Sequence, residues 1–98
     1  MKSETLVEEQ EKLIEQLGYT IRKERGTFQG SHCIVEGDKL VVINKKRPIE
    51  LQMGIYARLL KDKQEELADF YIKPAVRKKL QELWDRLDQF EGEEESAE

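Results

Sequence analysis

The sequence predicts an α+β domain: a three-stranded antiparallel sheet, made of a β-hairpin plus an edge strand, packed against three helices in the order α-β-β-β-α-α. Three observations predict it. Residues 31–36 and 39–44 are rich in β-branched and apolar side chains and face each other across Glu36-Gly37-Asp38-Lys39, which has turn chemistry. Stretches before and after this hairpin place apolar residues at spacings of three and four, the period of an amphipathic helix. The chain has 98 residues, 38% hydrophobic and 39% charged, which suits one domain with a modest core under a densely charged surface.

The elements follow in order. Leu6, Val7, Gln10, Leu13, Ile14 and Leu17 mark one stripe of a first helix, with Ser3 as its N-cap and Gly18 as its stop. Residues 19–24 alternate, with Tyr19, Ile21 and Lys23 on one side and Thr20, Arg22 and Glu24 on the other, as an edge strand does. Residues 26–30 form a bend in which Phe28 is expected to anchor inward. The run Leu40 to Ile43 is continuously apolar, as in a strand covered on both faces or by a helix on one and a loop on the other. Pro48 opens the next helix, with Leu51, Ile55 and Leu59 in one row and Tyr56 and Leu60 in the next. Lys61-Asp62-Lys63 ends it, and residues 65–69 read as a short helical turn or an irregular connection. Phe70-Tyr71-Ile72 is extended in character, because Lys73 precedes Pro74 and is pushed from helical angles. From Pro74 a last helix carries Val76, Leu80, Leu83, Trp84 and Leu87, with Phe90 closing it. Ile43, Ile55, Leu59, Leu80 and Trp84 are the expected core.

Residues 1–90 are therefore read as a single domain, and residues 91–98 as a disordered acidic tail. The net charge of −4 hides a split: −3 over residues 1–20, +6 over 21–79 and −7 over 80–98. A basic middle between acidic ends is either a solvated, partly neutralised surface or a face that meets an acidic partner. No apolar run approaches the ~18 residues of a membrane span. The start of the chain has no apolar signal core, and a lone Cys33 forms no internal disulfide, so a reducing cytoplasm is the expected location.

The residues suited to chemistry are few. His32 is the only histidine, and His32 and Cys33 are adjacent in a strand, where neighbours point to opposite faces. That geometry opposes both a shared metal and a thiol–imidazole pair, so no metal, cofactor or catalytic residue is assigned. Gly26-Thr27-Phe28-Gln29-Gly30-Ser31 lacks the Lys-Ser/Thr ending of a phosphate loop and leads into a strand. Glu50 and Asp69 read as helix-end charges. Two basic clusters remain as partner-binding candidates: Lys45, Lys46 and Arg47 between strand and helix, and Lys73, Arg77, Lys78 and Lys79 at the start of the last helix. The second sits where a helix N-terminus disfavours cations, a hint that helix stability did not place it there.

Residues 31–62 resemble the core of the ImmA/IrrE-type minimal zinc peptidases. Ile43-Asn44 ends a strand, Pro48 lies in the following loop, and Ala57 and Leu60 match the helix that carries the zinc motif. Arg58 and Asp62 stand where that family has its two zinc histidines, and Leu59 where it has its general-base glutamate. The resemblance thus implies the scaffold without the metal-bound water and the base that deprotonates it. The whole chain is also similar to small bacterial proteins of unknown function, on the strength of Gly26, Phe28, Gly30, Cys33, Asn44, Lys45, Pro74 and Arg77, with Ser31 replacing a glycine.

These readings lead to a non-catalytic domain that binds another macromolecule, in the first place a protein. A nucleic-acid partner, held by Lys45, Lys46, Arg47, Arg77, Lys78 and Lys79, requires the two clusters to share a face. A small enzyme of unrecognised type requires a pocket that joins Cys33, His32 or Tyr56 to a perturbed carboxylate. The helices at 4–17 and 74–90 carry stripes that suit either the monomer core or a homodimer contact.

Overall fold

The computed structural model describes residues 1–25, 32–35 and 37–97, and the side chains of these except 32, 33 and 90–97. The chain forms α1 (Ser3–Gln16), β1 (Thr20–Glu24), β2 (His32–Val35), β3 (Leu40–Asn44), α2 (Ile49–Asp62), α3 (Gln64–Leu67) and α4 (Pro74–Ala97). The class is α+β. The connection at 64–67 is a fourth, one-turn helix rather than an irregular link.

The sheet differs from the expected antiparallel one. Its order is β1-β3-β2, and it is mixed: β3 pairs antiparallel with β2 and parallel with β1. Each strand still reverses the one before it. The difference lies in the place of β3, which enters between the other two. Its apolar run explains that place. Val41 and Ile43 are fully buried, and Leu40 and Val42 are half-buried. A central position gives this strand hydrogen-bond partners on both sides and leaves the charged β1 as an edge.

Gly18 adopts φ +97°, the left-handed geometry that glycine takes without a Cβ penalty, and turns the chain from α1 into β1. Beside it the hairpin turn brings Lys39, whose ammonium donates to the Leu17 carbonyl at 3.5 Å at the negative end of α1. The expected N-cap is displaced by one residue. Lys2 holds the capping position without a side-chain bond, and Ser3 already lies inside the first turn.

Helix α1 packs along α2, and the core forms between this pair, the sheet and α4. Ile14, Val41, Ile43, Tyr56, Leu60 and Leu80 are fully enclosed. Ile55 and Leu59 are buried as expected, whereas Leu51, expected in the same row, is 42% exposed. Trp84 is half-buried and its Nε1–H donates to the Ala57 carbonyl at 2.8 Å, which ties α4 to α2. Gln10 does the same from α1: its Nε2 donates to the Met53 carbonyl at 3.1 Å. The apolar stripes of α1 and α4 are thus buried within one chain.

Helix α4 runs on through residues 91–97, the segment that composition marks as a disordered tail. Glutamate is a good helix former, which favours this continuation, while the crowding of like charge opposes it. The expected roles of Phe28 and of the Phe90, His32 and Cys33 side chains fall outside the described residues. Among the described residues no helix is long and apolar enough to cross a membrane.

Candidate functional site

The parallel pairing of β1 with β3 brings the ends of both strands out on the same side. Glu24 stands opposite Asn44, and the Lys45 N–H extends the ladder by donating to the Glu24 carbonyl at 2.9 Å. Two separate basic stretches, Lys23 to Arg25 and Lys45 to Arg47, become neighbours at this end of the sheet. Lys23, Arg25, Lys45, Lys46 and Gln52 line an open recess of about 490 Å³.

Local hydrogen bonds fix the turn that carries the second stretch. Asn44 is 6% exposed, and its Oδ1 accepts the Lys46 N–H at 3.0 Å, an Asx turn. The Arg47 N–H reaches the Asn44 carbonyl at 3.1 Å. Gln52 Nε2, in the first turn of α2, donates to the Arg47 carbonyl at 3.1 Å. Pro48 then directs the chain into α2, whose first internal bonds run from Leu51 and Gln52 to the Pro48 carbonyl. Lys45, Lys46 and Arg47 therefore stand exposed on a braced turn.

Lys23 is held from behind. Its Nζ pairs with Glu11 Oε2 at 2.7 Å, and the same oxygen accepts the Tyr56 hydroxyl at 2.8 Å. Tyr56 is fully enclosed. Burial, reinforced by the Glu11 carboxylate, pushes its phenol far above the usual tyrosine range, so it stays a donor. Arg22 pairs with Glu24 at 2.9 Å. Among the described residues Arg25, Lys45, Lys46 and Arg47 have no ion-pair partner, so the recess carries uncompensated positive charge.

The second basic cluster makes ion pairs of its own. Lys73 pairs with Glu9 at 3.2 Å, and Glu9 also meets Lys12 at 3.5 Å. The hydrogen bond from Lys73 holds the Glu9 carboxyl below its ordinary value. Glu9 and Glu11 are two residues apart on α1, roughly 160° around the helix by the shorter way. Lys73 and Lys23 therefore sit on opposite flanks of the α1 stripe. Arg77, Lys78 and Lys79 are consecutive on α4, so they fan over roughly 200°. Lys79 turns to Glu82 at 3.4 Å, while Arg77 and Lys78 are exposed. Of the six residues named for a nucleic-acid interface, Lys45 and Lys46 line the recess, and Arg77, Lys78 and Lys79 are not among its described lining.

The positions of the zinc-motif resemblance all lie on α2. Ala57 and Leu59 are buried, Arg58 is exposed, and Asp62 is the exposed last residue of α2. The ladder pairs His32 with Ile43 and Cys33 with Val42. Among the described residues no three of His, Cys, Asp and Glu come close enough to hold a metal ion. Glu50 and Asp69 are exposed.

Sequence reasoning reached Lys45, Lys46 and Arg47 but missed Lys23, Arg25 and Gln52. One signal was present: Lys23 shares a strand side with Tyr19 and Ile21, so a cation stands on an apolar face and needs a carboxylate. Comparison with known proteins finds no matching family model, no matching curated protein and no matching solved structure.

Proposed function

We propose that the protein is a non-catalytic binding module that receives an acidic segment of a partner protein in the recess at the open end of β1 and β3. The observation that carries this reading is the parallel register of Glu24 and Asn44, which gathers Lys23, Arg25, Lys45 and Lys46 around Gln52, with Arg47 next in the chain. The bracing of the turn reduces the entropy that binding must remove, and the cations meet carboxylates as charge-assisted donors. The chemistry on offer is recognition. The Tyr56 hydroxyl is engaged by Glu11 and lies in the core, so it serves structure rather than proton transfer.

A protein partner is favoured over nucleic acid by two features. Among the described residues no aromatic side chain lines the recess, so none of them offers bases a stacking platform there. The chain as a whole carries −4, which repels a long polyanion outside the patch. Titration with an oligoglutamate peptide and with a short DNA duplex tests this. Saturable peptide binding is expected, weakened roughly tenfold or more by Lys45→Glu/Lys46→Glu. Tighter binding of the duplex, with a steep fall in affinity as salt rises, would replace the protein partner by a nucleic acid.

A further inference from the structure

We propose that the acidic segment of a second copy of this chain, residues 91–98, occupies the basic recess, so that copies associate head to tail. This inference rests on the reading of the recess as a site for acidic segments and names one occupant.

Charge complementarity is the first ground. Glu91, Glu93, Glu94, Glu95 and Glu98 stand together in this segment. Lys23, Arg25, Lys45, Lys46 and Arg47 gather at the recess, and only Lys23 among them has a carboxylate partner in the described residues. The two groups match in number and oppose in sign.

Placement is the second ground. α4 continues as one helix to Ala97, and the ion pair of Lys61 with Asp88 ties it to α2. A helix is stiff and rises 1.5 Å per residue, so residues 89–97 form a rod of about 13 Å past that contact. Among the described residues the recess is lined from β1, the turn after β3 and α2. A straight extension of α4 does not fold back onto its own body, whereas a neighbouring molecule presents its recess freely. The proposed contact is heterologous: the recess of one copy meets the segment of the next. Such association is open-ended and grows with concentration.

Sedimentation of the full chain at two salt levels tests the proposal. In about 20 mM salt the screening length is roughly 20 Å, and in about 500 mM it is roughly 4 Å. The weight-average mass should rise above 11.6 kDa with concentration in the first and return to 11.6 kDa in the second. Lys45→Glu/Lys46→Glu and Glu93→Lys/Glu94→Lys should each stay monomeric, because the first lowers the recess from +5 to +1 and the second lowers the segment from −5 to −1, which removes most of the attraction. An equimolar mixture of the two variants should associate again as a pair, since the unaltered segment of the first fits the unaltered recess of the second. Circular dichroism confirms that both fold. A wild-type protein that stays at 11.6 kDa in low salt overturns the proposal. If that protein still binds an oligoglutamate peptide, the recess reading stands without self-association; if it does not, both fall. Association that survives in either variant alone also overturns the proposal.

Discussion

Glu24 and Asn44 are partners in a parallel strand pair, and Lys45 continues that ladder by donating its N–H to the Glu24 carbonyl at 2.9 Å. This relationship creates the site. In an antiparallel pair the end of β1 would lie beside the start of β3, and Lys23 and Arg25 would face the hairpin turn at the other end of the sheet. The parallel register instead sums two short basic stretches, each unremarkable alone, into one patch.

The braced turn depends on Asn44. Asn44→Ala removes the acceptor of the Lys46 N–H and should cost about 1 kcal/mol of stability. The same change loosens the presentation of Lys45 and Lys46, so peptide affinity should fall as well. Asn44→Asp keeps the acceptor and should retain both. Urea unfolding and peptide titration on the two variants measure the pair of effects.

Two leucines of α2 that look equivalent in sequence should behave differently. Leu59 is 2% exposed, and Leu59→Ala should cost about 2–5 kcal/mol through lost contacts and a residual cavity. Leu51 is 42% exposed, and Leu51→Ala should stay within about 0.5 kcal/mol. Denaturant midpoints of the two variants make the comparison. Equal losses would contradict the orientation of α2.

Tyr56 gives stability a dependence on alkaline pH. Its phenol ionises at higher pH in the folded state than in the unfolded one, because burial and Glu11 oppose the phenolate. The contribution is complete below about pH 10, where both states are protonated, and declines as pH rises above it, where only the unfolded phenol ionises. Tyr56→Phe removes a hydrogen bond to a carboxylate and should cost about 1–3 kcal/mol at neutral pH. The gap between wild type and variant should narrow as pH rises from about 9 to about 11. Unfolding curves across this range provide the measurement, and a constant gap would contradict the account of the buried phenol.

Much of the fold was legible because it is written in local periodicity. The stripe of α1, the hairpin around Gly37, Pro48 at the head of α2 and Pro74 at the head of α4 are all short-range signals, and each element lies where they place it. The sheet order was not legible. Which side of β3 accepts β1 depends on how a strand of alternating charge and a strand of continuous apolarity share the cover of α1 and α2, and no local pattern encodes that. The site inherited the same gap. Lys45 to Arg47 is a visible run, but its completion by Lys23 and Arg25 follows only from the strand pairing. The run Arg77-Lys78-Lys79 shows the opposite effect: residues adjacent in sequence diverge around a helix, so the three side chains leave α4 over roughly 200°.

Backbone amide shifts during titration with an oligoglutamate peptide test the central claim most directly. The account predicts saturable changes at Lys23, Arg25, Lys45, Lys46, Arg47 and Gln52, suppressed by high salt and by Lys45→Glu/Lys46→Glu. Changes centred on Lys73, Arg77 and Lys78, or a spectrum that the peptide leaves untouched, would contradict it.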